Sequence, residues 1–198
     1  MKKVFKNKLY SLQLLVDDDL KKDINRISND CNRVIASYES VSEFSDDNED
    51  TYLDDNYDFE RDREELKNLL EKSFEFDRYF VFMLYLRGEP VGYAIYTQRE
   101  KTNSFVLEFI HVSKEYTNMG IGSMLLKKSC CILKKDFKAD EIMATINKAN
   151  PRSLAIHNNF ITSNDLNLYV NDYGNRVTYH IDLANLKTKN KKENEFEM

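Results

Sequence analysis

The sequence predicts an α/β domain, with a mixed and mostly antiparallel sheet of about seven strands flanked by helices. Three observations lead there. Before residue 75 the apolar residues recur at helical spacing in two stretches, at Leu20, Ile24, Ile27, Cys31 and Ile35, and at Leu66, Leu69 and Leu70. From residue 79 the texture changes to apolar and aromatic runs of strand length, beginning with Tyr79 to Leu86. Turn residues then join these runs in pairs, while a longer amphipathic segment from about 120 to 135 separates two of them.

Taken in order, Tyr10 to Leu15 reads as a first strand, and Asp17, Asp18 and Asp19 offer caps for the helix that follows. A second helix is expected around Asp62 to Lys72. The run Tyr79 to Leu86 has no polar side and suits a strand covered on both faces. Arg87-Gly88-Glu89-Pro90 turns it into a partner at Val91 to Tyr96. Ser104 to Val112 is the next strand, followed by a loop, Gly120-Ile121-Gly122 and a helix to about Lys135. Ile142 to Ile146 is a fifth strand. Asn150-Pro151 opens a helix, with Asn at the N-cap and Pro at the first helical position. Leu166 to Val170 and Val177 to Leu183 close as a hairpin across Asp172 to Asn175. One domain over residues 1–186 is expected, with a charged, mobile tail at 187–198.

Composition narrows the class of function. The 198 residues carry a net charge of −5, which argues against a general nucleic-acid binder. No apolar run is long enough to span a bilayer, and the basic N-terminus lacks an apolar region and cleavage site, so a cytoplasmic chain without membrane attachment is expected. The three cysteines are odd in number and Cys130 and Cys131 are adjacent, as for reduced thiols without a disulfide framework or zinc site. Acidic residues crowd positions 46–65, facing only Arg61 and Arg63. Such a run is either a solvated loop or an attractor of cationic amines. Asp46, Asn48 and Asp50 imitate a calcium loop, but Thr51 and Tyr57 stand where Gly and Glu are needed, and no metal is expected.

A strand that runs through a loop into Gly-x-Gly and a helix suits an anion. Glycine lets the backbone approach, and the unpaired N–H groups of the first helical turn point outward with the helix dipole behind them. A glycine pair can equally serve close packing. Dinucleotide folds do not fit: Leu125 stands at the third glycine position, seven residues separate Val112 from Gly120, and Asn147 closes the next strand where an acid is needed. The Lys-Ser/Thr of a P-loop is missing too.

The segment Leu107 to Leu126, with its Val112 strand end, Gly120-Ile121-Gly122 and double Leu, resembles the cofactor motif of the GNAT superfamily of N-acetyltransferases. The likeness continues from the Gly92 hairpin through Asn150, Ser153 and His157 to the closing strands. Thr117 stands where that family usually has Arg or Gln, and Ile161-Thr162 replaces its Gly-Phe pair.

The resemblance implies a GNAT-like sheet whose fourth and fifth strands splay apart to admit acetyl-CoA. It places Ile110, His111 and Val112 beside the acyl and pantetheine groups. Thr117, Asn118, Met119, Gly120, Ile121, Gly122 and Ser123 surround the pyrophosphate, and Asn150 and Ser153 face the pantetheine. Strict alternation puts Glu108 on one strand face with Ile110 and Val112, and His111 on the other, where packing is expected of it. Glu108 is the candidate base, or a strand-edge carboxylate reaching solvent or a lysine. His157 is the candidate acid, or a satisfied structural histidine, with Tyr169 as the alternative acid. The expected reaction is acetyl transfer from acetyl-CoA to a primary amine of a small cationic acceptor or peptide. A homodimer is compatible with this. The rivals are a GNAT-like module that binds acyl-CoA without turnover, and an interaction protein that uses its acidic stretch.

Overall fold

The computed structural model describes residues 3–6, 10–16, 18–38, 59–72 and 78–188. The strands are β1 (Lys3–Lys6), β2 (Tyr10–Val16), β3 (Arg78–Leu86), β4 (Glu89–Gln98), β5 (Ser104–Val112), β6 (Glu141–Asn147), β7 (Leu168–Asp172) and β8 (Arg176–Asp182). The helices are α1 (Asp18–Ala36), α2 (Phe59–Lys72), α3 (Ile121–Phe137) and α4 (Pro151–Ser163). The strands form one sheet in the order β1-β2-β3-β4-β5-β6-β8-β7. Every neighbouring pair is antiparallel except β5 and β6, which α3 connects as a crossover.

The expected class and each expected element are present, and the differences are local. The eighth strand, β1, pairs with β2 over Lys3 to Lys6; four residues are too few to show a period in sequence. The closing hairpin begins at Leu168 rather than Leu166. Leu166 N–H instead bonds the Ile161 carbonyl at the end of α4 and its side chain is buried. The tail beyond residue 188 and the acidic residues 46–58 lie outside the described residues. No described helix is long and apolar enough to cross a membrane.

The sheet divides the core in two. On one face α3 and α4 bury Leu125, Leu126, Leu133, Phe160 and Ile161 against alternate residues of β2 to β6 and β8. On the other, α1 and α2 place Ile27, Cys31, Ile35, Leu66 and Leu70 on β2 to β5. Strand β3 is buried on both sides, which explains its unbroken apolar run. Tyr85 of β3 ties α1 down by donating to Asp30 (2.8 Å) and accepting from Arg26 (2.7 Å). Phe105 lies at the start of β5, fully buried and edge-on to Phe80 with ring centroids 5.1 Å apart. Phe105→Ala should therefore cost about 3–5 kcal/mol, read as a lower urea midpoint with an unchanged slope.

Candidate active site

The central feature is a parting of strands. β5 and β6 pair from Ser104 against Glu141 to Leu107 against Ala144, and there the ladder ends. Both strands continue, β5 to Val112 and β6 to Asn147, so an opening begins beside Glu108 and Thr145. On the far side of β5 the ladder to β4 is intact, and beyond it Ser113 N–H donates to the Val91 carbonyl at 2.9 Å. Backbone groups alternate in direction, so Val112 and Ile110 turn their N–H and C=O away from β4, into the opening. The Val112 carbonyl accepts a hydrogen bond from the Tyr38 hydroxyl. Ser37, next to it, accepts from Lys114 N–H at 2.9 Å. The chain just after α1 is thus fastened to the end of β5.

Helix α3 starts where the opening ends. Its N-cap Gly120 has φ +74°, a left-handed conformation that favours glycine, and no atom lies within 4 Å of where a Cβ would be. No side chain caps this helix, and its first turn carries no acid. Helix α4 differs, because the Asn150 side chain accepts from Ser153 N–H at 2.9 Å. The N–H groups of Ile121, Gly122 and Ser123 precede the first intrahelical donor, Met124, which bonds Gly120 C=O at 2.9 Å. Asn118, at φ +61°, and Met119 complete an exposed rim. These residues fit an anion in charge and in space.

Some residues of the motif have other duties. Thr117 turns its hydroxyl onto the Lys114 carbonyl at 2.8 Å, closing a short 3-10 turn. Gly122 is buried, and a Cβ there would meet Ile156 Cδ1 of α4 at 2.9 Å and Val112 Cγ2 at 3.7 Å. Its smallness serves the packing of α3 on α4 and β5. Asn150 spends its side-chain oxygen on the cap.

Glu108 is placed differently from the sequence expectation. Ile95 pairs with Phe109 and Tyr96 with Leu107, so Glu108 is the extra residue of a bulge. Alternation breaks there, and the core-facing positions run Phe105, Leu107, then Ile110 and Val112. Glu108 accepts from Thr97 Oγ1 at 2.6 Å. Thr97 follows Tyr93 and Ile95 on the face covered by α1. Glu108 therefore shares its face with His111 and Phe109, not with Ile110 and Val112. His111 stacks on Tyr93 with centroids 5.2 Å apart and planes 11° apart. Desolvation lowers its pKa to about 4.

The two candidate acids are not where the chemistry needs them. His157 is buried and its Nδ1 lies 2.7 Å from the Ser153 carbonyl. A carbonyl only accepts, so Nδ1 carries the proton. Burial lowers its pKa, leaving the ring neutral and Nε2 bare. No described residue bonds Nε2, and the ring lies edge-on to Tyr179 with centroids 6.4 Å apart. A bare nitrogen has no proton to give. Tyr169 lies on β7 at the far edge of the sheet, two strands beyond β6, exposed and packed edge-on to His180. That is about 10 Å from β6 at ordinary strand spacing. The structure thus assembles Glu108, Ile110, His111, Val112 and residues 117–123 around one opening, adds Tyr38 and Thr97, and leaves Tyr169 outside. At the described end of the acidic run Arg61 pairs with Glu65 and Arg63 with Glu60, both at 2.8 Å.

Fold and opening define a class: a mixed sheet with two strands parting in front of a glycine-opened helix. The model of the Acetyltransferase (GNAT) family matches residues 39–160, more than half of the chain. The chain belongs to this family. A search of curated protein sequences finds no match. Among solved structures, one assigned to the GNAT family from Desulfovibrio desulfuricans aligns with TM-score 0.59 and 12% identity, over 88% of this chain and 99% of that one. PaiA N-acetyltransferase from Thermoplasma acidophilum, in complex with coenzyme A, aligns with TM-score 0.53 and 16% identity, over 85% and 98%. Spermidine N-acetyltransferase from Vibrio cholerae, with CoA and spermine, aligns with TM-score 0.53 and 15% identity, over 89% and 98%. At these identities the structures establish a common fold.

The two depressed histidines make stability depend on pH. Between about 6.5 and about 4 the unfolded chain carries a proton on the residue-111 imidazole that the folded chain refuses. The unfolded state then holds more protons, so stability is full above about pH 6.5 and falls as pH falls; His157 acts in the same direction. Unfolding free energies from denaturant titrations at pH 7 and pH 5 should differ by on the order of 1–2 kcal/mol, and His111→Gln should reduce the difference.

Proposed function

We propose that the protein is an N-acetyltransferase that moves an acetyl group from acetyl-CoA to a primary amine of a small cationic acceptor or peptide. The observation that carries this is the coincidence, on one strand, of an opening lined by Ile110 and Val112, a carboxylate at its mouth, and a bare helix N-terminus at its end. Acetyl-CoA presents groups of matching kind: amides for strand-like backbone contacts, and a pyrophosphate for the N–H groups of Ile121 to Ser123.

Glu108 is the base. Its carboxylate is exposed, and Thr97 holds one oxygen, leaving the other to take a proton from the incoming ammonium, directly or through water. The neutral nitrogen then forms its bond to the acetyl carbon as the carbon–sulfur bond breaks, and the second proton leaves the nitrogen for solvent water, from which the group that protonates the thiolate is restored. Tyr38 is the proton source we assign to the departing thiolate in place of His157 and Tyr169. Burial raises its pKa, so it stays a donor, and it is fastened to the strand end that faces the opening. The acceptor's positive charge is supported by Glu108.

Glu108→Gln should lower kcat by 10²-fold or more at pH 7 while leaving the dissociation constant of acetyl-CoA within about twofold. Unchanged turnover would remove Glu108 from the mechanism. Gly120→Leu forces a side chain into the left-handed region and over the helix N-terminus. Calorimetry should show at least tenfold weaker acetyl-CoA binding, and retained affinity would refute the anion site. Thiol release with an amine panel separates an enzyme from a binding module.

A further inference from the structure

The face of the sheet that holds Glu108 carries a second pattern. Leu107 pairs with Ala144, so the next residues, Glu108 and Thr145, flank the start of the opening. Thr145 pairs with Thr178 of β8 and Thr178 with Asn171 of β7. Their core-facing neighbours, Ala144, Ile146, Val177 and Tyr179, all belong to the opposite face. Directly paired residues share a face, as Thr145, Thr178 and Asn171 do; across the opening from them stands Glu108, hydrogen-bonded to Thr97, so that one polar row crosses five adjacent strands. From Thr145 to Asn171 ordinary strand spacing makes it about 10 Å long. The two threonine hydroxyls lie 2.9 Å apart, and Asn171 Nδ2 lies 3.1 Å from His180 Nε2. His180 Nδ1 in turn lies 2.8 Å from Glu141 Oε1.

This row stands where an acceptor must lie, granted the acetyltransferase reading on which the inference rests. Helices α3 and α4 occupy one face, and the anion site is at the start of α3, so the amine reaches the opening from the other. There the described helices pack only over β2 to β5. The floor left to the acceptor, beyond its reacting nitrogen at Glu108, is Thr145 and Asn171. Thr145 is exposed and Asn171 half-buried, while Thr178 is buried between them with its hydroxyl on that of Thr145.

The chemistry of that floor selects a substrate. From Thr145 to Asn171 the row bears no formal charge, and Glu141, on the same face of β6, is engaged by His180. A second ammonium, which only donates, would find no counter-ion in the row. Hydroxyl groups both donate and accept, and match threonine hydroxyls and an amide. We propose that the acceptor is a hydroxyl-bearing amine of the amino-sugar class, with its ring hydroxyls on Thr145 and Asn171, and with Thr178 positioning the Thr145 hydroxyl.

The test measures thiol release with glucosamine, galactosamine, cyclohexylamine and spermidine. The hydroxylated amines should show kcat/KM at least tenfold above the two bare amines. In Thr145→Val and Thr178→Val, each checked by thermal melting, the ratio of kcat/KM for glucosamine to that for cyclohexylamine should fall five- to twentyfold, chiefly through KM. Bare amines that equal or exceed the hydroxylated ones would overturn the proposal and leave the acetyltransferase reading standing. So would an unchanged ratio in the folded variants, the result expected if the threonines only stabilise the sheet. Transfer to none of the four amines would overturn both.

Discussion

Everything at the site depends on a ladder that stops. Two parallel strands begin to pair at Ser104 and Glu141 and give up their hydrogen bonds after Leu107 and Ala144. Backbone N–H and C=O groups lose free energy when left without partners, so a sheet rarely opens in its middle without something to replace the missing strand. Here one carbonyl, that of Val112, is met by the Tyr38 hydroxyl from the end of α1. An extended, amide-bearing ligand would serve the rest. The opening separates the helices of one face from those of the other, and so separates the approaches of two substrates.

The bulge at Glu108 completes this division. One extra residue against β4 leaves Leu107 and Ile110 on the α3 side and turns Glu108 and Phe109 to the α1 side. Without it, alternation from Leu107 would turn Ile110 and Val112 to the α1 side as well, and the carboxylate would share a face with the apolar lining of the opening. With it, Glu108 is solvated, held by Thr97, and set at the start of the polar row that runs over β6 and β8 to β7. A single nine-residue strand thereby presents backbone groups to one ligand and a carboxylate to the other.

The helix ends around the opening are also unlike. Asn150 caps α4 with its own side chain, while Gly120 leaves the start of α3 bare. The imidazoles nearby are kept neutral by burial, His111 against Tyr93 and His157 over Ser153. Near neutral pH the oxygen groups at the opening keep the charge states of a solvated carboxylate, at Glu108, and of a phenol that burial holds protonated, at Tyr38.

The order of strands and helices, the doubly covered β3, the caps at Asn150 and Gly120, and the membership of residues 107–126 in a GNAT motif were all legible, because each is written in local periodicity or turn chemistry. Strand β1 was too short to show a period. Thr97 and Tyr38 were not legible, since each matters only through a partner on another element. The roles of His157 and Tyr169 were misjudged for the same reason. Helix spacing gave the face of His157 but not the carbonyl that fixes its proton, and the sheet order that strands Tyr169 at the far edge is a property of the whole fold. The amino-acid sequence by itself thus determined the family, the fold class and the glycine-opened helix. Only the tertiary structure decided which face Glu108 serves, because a bulge is a mismatch between two strands and neither strand contains it alone.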